Sequence, residues 1–130
     1  MQQSIEVELV RIFVGENDKF QGRPLYEVIV HEAHRLGLAG ATVLRGTLGF
    51  GASSRIHSAK FLRLSEDLPM VIEIIDQPER IAAFLPELDK LIGAGLITLE
   101  TVKIITYRRS QTHASTVEQS PEERRPHRSE

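Results

Sequence analysis

The chain has 130 residues, a net charge of −2 and no cysteine. This length predicts one domain that buries its own core, and the lack of cysteine excludes thiol catalysis and thiolate metal sites. The small net charge gives no basic field for nucleic-acid binding. No signal-peptide pattern is visible at the N-terminus, and no apolar run approaches the roughly 20 residues that span a bilayer. We therefore expect a cytoplasmic protein without direct membrane insertion.

Residues 5–14 predict the first strand, and its apolar residues change face halfway along. The first half alternates, with two glutamates on one face. In the second half Val10, Ile12 and Val14 are apolar on the face that carried the glutamates. A strand that is apolar on both faces must be covered on both faces. Helices can cover one face, and another subunit is a good candidate for the second.

A polar loop at 15–22 precedes the first predicted helix, in which Pro24 suits the first turn and Gly37 is the stop. The acidic pair of this loop, Glu16 and Asp18, belongs to a plain connection, holds a nearby basic residue or helps to bind a cation. The buried face of the helix is predicted from residues at helical spacing: Leu25, Val28, Ile29, Ala33 and Leu36.

The second strand, predicted at 42–48, opens into a segment rich in Gly, Ser, Arg and His. Glycine lets a ligand approach the main chain, and the polar groups are those that hold anions, of which phosphate is the commonest. A surface hairpin of turn residues is the alternative. Arg45 is either a phosphate clamp or the partner of an acidic residue such as Glu73. The other anion-binding candidates of this region are Gly46, Gly49, Gly51, Ser53, Ser54, Arg55 and His57.

The second half of the chain predicts a short strand at 59–64, a central strand at 70–75 and a last strand at 96–107. Asp76 and Glu79 predict a capping box at the start of a second helix, and Pro86 predicts a kink or break within it. After Tyr107 large apolar residues almost disappear. Residues 111–130 are therefore predicted to be a disordered polar tail.

The element order predicts an α+β, ferredoxin-like βαββαβ fold within residues 1–110. Its four-stranded antiparallel sheet carries two helices on one face and leaves the other face open. Because the first strand is apolar on both faces, we expect that open face to be buried in a sheet-to-sheet oligomer.

Three blocks of the sequence resemble the PII-like family catalogued as domain of unknown function 190 (DUF190): residues 11–19 (RIFVGENDK), 37–57 and 67–76 (DLPMVIEIID). The resemblance implies the architecture of PII signalling proteins, a homotrimer with adenine nucleotides in clefts between subunits. It also implies a mobile T-loop, here at about 49–67, that docks on a partner protein. The implied role is regulatory and non-catalytic, with no required cofactor.

The resemblance to PII proteins also assigns individual residues. It implies that Thr42 lies beside the base and that Gly49 and Gly51 lie near the phosphates. Glu73 matches a glutamate of the third PII strand, and Arg108 falls near an arginine that closes the PII site. The phosphate-binding lysine after the second PII helix is missing, which favours AMP or ADP over a triphosphate. Family members are often encoded near fluoride-export channels, which points to a membrane transporter or channel as partner.

Other hypotheses stay open. His31 and His34 lie three residues apart on the first helix and, with His57 or Glu27, could bind a metal, as in trimers of the CutA type. Two solvated histidines are the simpler interpretation. The serines near His57 have no acidic residue in the sequence to orient the imidazole, so we expect no enzymatic activity. A ligand-free structural or interaction trimer is the remaining alternative.

Overall fold

The computed structural model describes residues 4–51, 56–58 and 67–108. The chain divides into two units, residues 5–103 and the terminal segments 1–4 and 104–130. The first unit holds both helices and nearly all of the sheet. In the second, the described residues are Ser4 and 104–108, of which Ile105 and Tyr107 are exposed. The predicted strand at 59–64 and the predicted tail at 111–130 lie outside the described residues.

The elements follow the predicted order of strands and helices. They are β1 (Ile5–Gly15), β2 (Lys19–Phe20), β3 (Arg23–Pro24), α1 (Leu25–Arg35), β4 (Gly40–Arg45), β5 (Leu48–Gly49), β6 (His57–Ser58), β7 (Pro69–Asp76), α2 (Pro78–Leu91) and β8 (Leu96–Ile104). A four-stranded antiparallel sheet has the order β4-β7-β1-β8, so β7 is a central strand as predicted. The short strands form two separate pairs, β2 with β3 and β5 with β6. The predicted α+β class and the βαββαβ order of the main elements are confirmed.

The core lies between one face of the sheet and the two helices. Alternate residues of the central strands are buried there, because successive side chains of a strand point to opposite faces: Val10, Ile12, Val14, Met70, Ile72 and Ile74. The helices complete the core with residues at helical spacing: Leu25, Val28, Ile29, Ala33, Ile81, Phe84 and Leu88. Leu36 is the exception to the predicted stripe, since it follows the last turn of α1 and is 36% exposed.

The C-terminus of α1 ends in a Schellman motif that directs the chain into β4. Gly37 has a φ of 79°, a left-handed conformation that favours glycine. Its N–H donates to the carbonyl of His34 at 3.0 Å, and the N–H of Leu38 donates to the carbonyl of Ala33 at 3.1 Å. The predicted helix stop at Gly37 is confirmed.

The start of α2 differs from the predicted capping box. Gln77 is the N-cap, whereas Asp76 is the last residue of β7 and only 7% exposed. Its carboxylate accepts hydrogen bonds from the N–H of Gln77 at 2.7 Å, the N–H of Ala39 at 3.0 Å and Nε of Arg80 at 2.9 Å. The carboxylate thus joins the start of α2 to the segment that enters β4. The helix continues through Pro86 to Leu91, so no break occurs at this proline.

Candidate functional site

The sheet surface opposite the helices, here called the open face, has a regular pattern of rows. Directly opposed residues in an antiparallel pair share a face. One row contains Arg11, Glu73 and Thr42, from β1, β7 and β4. The rows on either side are apolar, and they consist of Leu9 with Ile75 and Gly40, and of Phe13 with Val71 and Leu44. A charged row therefore crosses the sheet between two apolar rows.

Arg11 is the centre of the charged row. Its Nε donates to Oε2 of Glu73 at 2.9 Å, and its Nη1 donates to Oε2 of Glu100, on β8, also at 2.9 Å. The hydrogen bonds to these two carboxylates raise the pKa of the Arg11 guanidinium, and the bond to Glu73 has the larger effect. The row now extends over all four strands. One arginine facing two glutamates leaves a net negative charge on this surface.

A second group of predicted residues surrounds the first residue of β7, and we call this place the β7 start. The N–H of Gly46 donates to the carbonyl of Pro69 at 2.7 Å. Arg45 forms an ion pair with Glu16, with 2.5 Å between Nη2 and Oε2, and the arginine side chain is 59% exposed. Arg45 therefore pairs with an acidic residue, which was one of the two interpretations, but that residue is Glu16 and not Glu73, which binds Arg11.

Two of the predicted glycines pack against the ring of Pro69. A Cβ added to Gly46 would lie 2.9 Å from Cγ of Pro69, and one added to Gly49 would lie 3.1 Å from it. Gly49 also pairs with His57 between β5 and β6. Among the described residues, nothing lies within 4 Å of a Cβ added to Gly51. Gly46 and Gly49 thus allow close packing at the β7 start, whereas the predicted approach of a ligand to the glycines stays a prediction.

Residues 15–18 form a turn that contacts the β7 start from the side of β1. The N–H of Glu16 donates to the carbonyl of Leu68 at 2.8 Å, and the N–H of Asn17 donates to Oδ1 of Asp67 at 2.7 Å. Asp18 accepts a hydrogen bond from the N–H of Gly15 at 2.9 Å, which closes the turn. Of the alternatives for this loop, an ion pair with a basic residue is the one observed, since Glu16 binds Arg45, while the carboxylate of Asp18 binds the backbone.

The structure brings only part of the predicted ligand set together. Thr42 lies opposite Glu73 on the open face, whereas Arg45 lies opposite Met70, in a row of the helix side. Both belong to β4, an edge strand whose side chains are largely exposed. Ser53, Ser54 and Arg55 lie outside the described residues. Arg108 belongs to the terminal unit and is exposed.

A shallow depression lies near the opposite end of β4, and none of the predicted ligand residues lines it. Its lining residues are Leu36, Leu38, Arg80, Ala83 and Phe84. The guanidinium of Arg80 binds the carboxylate of Asp76 and the carbonyl of Gly37. Arg80 therefore stabilises the connection between α1 and β4.

The metal hypothesis gains no support from the described side chains. Nδ1 of His31 lies 3.1 Å from Nη2 of Arg23, and His34 is exposed. Among the described side chains, which do not include that of His57, no group of three or more histidine or carboxylate side chains is arranged to hold a metal ion. No helix of the described segments is long and apolar enough to cross a bilayer.

Sequence reasoning missed the partners of both arginines. Glu73 is the only charge in the apolar run 70–75, and Arg11 is the only charge in the second half of β1, so this pattern could have indicated a cross-strand pair. The pairing of Glu16 with Arg45 had no such signal. It depends on the strand order, which places β7 between β1 and β4.

Comparisons with known proteins identify the family. Residues 7–104 match DUF190, described as "Uncharacterized ACR, COG1993". A UPF0166 protein of Aquifex aeolicus (strain VF5) is 43% identical over 101 residues, which cover 78% of this chain and 95% of the relative. A UPF0166 protein of Methanocaldococcus jannaschii is 36% identical over 96 residues, which cover 73% and 88%.

Solved structures show the same fold at low sequence identity. A Thermus thermophilus protein described as PII-like and signalling has a TM-score of 0.58 and 21% identity, over 78% of this chain and 92% of that one. CPII of Thiomonas intermedia K12, a nitrogen regulatory PII-like protein bound to ADP, AMP and bicarbonate, has a TM-score of 0.59 and 14% identity, over 82% and 94%. The chain belongs to the DUF190 (UPF0166) family, and its fold is that of the PII-like proteins.

Proposed function

We propose that this protein is a non-catalytic PII-like regulator that assembles as a homotrimer and binds an adenine nucleotide, AMP or ADP, between its copies. The ligand state is signalled through segment 49–67 to a protein partner, for which a membrane transporter or channel is the first candidate. The observation that carries the proposal is a PII-like fold whose open face alternates apolar and charged rows.

Exposed apolar side chains support assembly through the open face and the sheet edges. Leu44, on the open face, is 49% exposed, and three apolar residues of β8 are exposed as well: Leu96, Ile97 and Leu99. These exposed residues lie at the two opposite edges of the sheet, where neighbouring copies can cover them. Closed rotational symmetry is the usual way in which identical chains cover such a surface.

The position of the ligand candidates supports a site between copies. Thr42 and Arg45 lie on opposite faces of β4, an edge strand of the described sheet whose side chains are largely exposed. A neighbouring copy at this edge would contact both residues. Arg45 suits a phosphate, because the planar guanidinium donates two parallel hydrogen bonds to phosphate oxygens. A protein of the same fold is described as bound to ADP and AMP.

Calorimetric titration with AMP, ADP and ATP tests the proposal. We expect AMP or ADP to bind more tightly than ATP, and Arg45→Ala to weaken binding. Arg35→Ala is the matched control, because Arg35 also pairs with a glutamate at 2.5 Å but lies at the end of α1. The absence of heat and of any thermal shift with all three nucleotides at millimolar concentration would contradict the proposal.

A further inference from the structure

We infer that Glu16 is an internal anion that occupies Arg45 until a ligand phosphate replaces it, and that the 15–18 turn couples this exchange to both ends of segment 46–66. The inference rests on the proposed function, because it assigns a regulatory residue to the same site. It gives a role to the block RIFVGENDK, which carries the family resemblance and contributes no residue to the predicted ligand set.

The ion pair joins two strands that are not neighbours. Gly15 and Arg45 end β1 and β4, and β7 lies between these strands. In the sheet register Gly15 is opposite Pro69, and Arg45 is opposite Met70. The contact between Glu16 and Arg45 therefore crosses the first residues of β7. Arg45 immediately precedes segment 46–66, so the ion pair attaches the turn to the beginning of that segment.

The same turn is bonded to the end of the segment. The backbone N–H groups of Glu16 and Asn17 donate to the carbonyl of Leu68 and the carboxylate of Asp67. The fit is close, because a Cβ on Gly15 would lie 2.8 Å from each carboxylate oxygen of Asp67. Glu16 thus contacts the chain just before segment 46–66, and Glu16 and Asn17 both contact it just after the segment.

A phosphate and the Glu16 carboxylate would compete for the same guanidinium. Glu16 is the more enclosed partner, with 21% of its side chain exposed against 59% for Arg45. Arg45 can therefore turn towards solvent, while Glu16 stays at the β7 start. When Arg45 binds a ligand, Glu16 loses its cation and lies near a second negative charge. This change weakens the attachment of the turn to β4.

The first arm of the test compares ADP binding to wild type, Glu16→Gln and Glu87→Gln. Glu16→Gln removes the competing charge, and we expect it to bind ADP about 1.5- to 5-fold more tightly, the range that exposed ion pairs contribute. Glu87→Gln changes the net charge equally, on α2 and in a pair with Lys90, and should bind ADP like wild type. Unchanged or weaker ADP binding by Glu16→Gln would overturn the competition.

The second arm needs no ligand. Amide hydrogen exchange at positions 16 and 17 reports the bonds of the turn to Leu68 and Asp67. We expect Arg45→Gln and Glu16→Gln to accelerate this exchange about 1.5- to 5-fold, and saturating ADP to accelerate it in wild type. Unchanged exchange in both variants would overturn the coupling. If wild type binds neither AMP nor ADP, the proposed function fails, and faster exchange in the variants would still establish the contact between the turn and Arg45.

Discussion

Leu44→Asp should convert the proposed homotrimer into a folded monomer. Leu44 lies on the open face, in the apolar row with Phe13 and Val71, and 49% of it is exposed in the single chain. Its backbone is already paired with β7, and the substitution leaves the helix-side core unchanged. A carboxylate at this position remains hydrated in the monomer, but it would lose water if a second copy covered the face.

The expected magnitude follows from the exposed half of the side chain. Full burial of a leucine contributes about 1.5–3 kcal/mol, so the half that assembly would bury contributes about 0.7–1.5 kcal/mol per copy. Three copies together lose about 2–4 kcal/mol, which is at least about a thirtyfold loss in the assembly constant. Burial of an unpaired carboxylate adds to this loss.

Sedimentation velocity measures the result, and circular dichroism shows whether the variant is folded. Leu36→Asp is the matched control, because Leu36 is also apolar and exposed but lies at the end of α1, away from the open face. We expect the control to sediment like wild type. If Leu44→Asp also sediments like wild type, or if both variants dissociate, the open face is not the assembly surface.

Three further substitutions test the structure in thermal or chemical unfolding. Asp76→Asn should lower the free energy of unfolding by about 2–4 kcal/mol, because it weakens three hydrogen bonds of a buried carboxylate, whereas Glu79→Gln should change it by less than about 0.5 kcal/mol. If both substitutions lowered the free energy of unfolding equally, Asp76 and Glu79 would act together as the predicted capping box. Gly46→Ala should lower the free energy of unfolding by about 1–3 kcal/mol through a clash with the proline ring at the β7 start, and Gly51→Ala should be neutral, because no described atom lies within 4 Å of a Cβ at Gly51. A neutral Gly46→Ala would contradict this close packing. Glu32 accepts a hydrogen bond from Arg35, which lowers the pKa of the Glu32 carboxyl. The ion pair therefore stabilises the fold above pH 4.5, and its contribution is lost as the pH falls below that value. Glu32→Gln should therefore lower the melting temperature by about 1–3 °C at pH 7 and by less at pH 3, and an equal effect at both values would exclude the ion pair as the cause.

The sequence predicted the fold well because its signals are local. Period-two and helical spacing identified the strands and helices, and Gly37 marked a helix end that the structure confirms. The predicted capping box at Asp76 was wrong because tertiary contacts decide the partners of this carboxylate. It accepts hydrogen bonds from Ala39 and Arg80, which are distant from each other in the sequence.

The candidate site was harder to predict because its contacts depend on strand order. Sequence spacing placed Arg45 near a glycine-rich segment, but it could not show that Glu16 reaches Arg45 across β7. The resemblance singled out Glu73 and Thr42, and the register places them side by side on the open face. Arg11 was not among the predicted site residues, because its contacts with both Glu73 and Glu100 depend on the position of β1 between β7 and β8.

The mass of the wild-type protein in solution tests the central claim most directly, because the proposed ligand site is complete only between copies. Sedimentation equilibrium over a range of protein concentrations gives this mass without reference to any ligand. The account predicts three times the chain mass of 14.6 kDa. A single-chain mass at every concentration, with and without ADP, would contradict it.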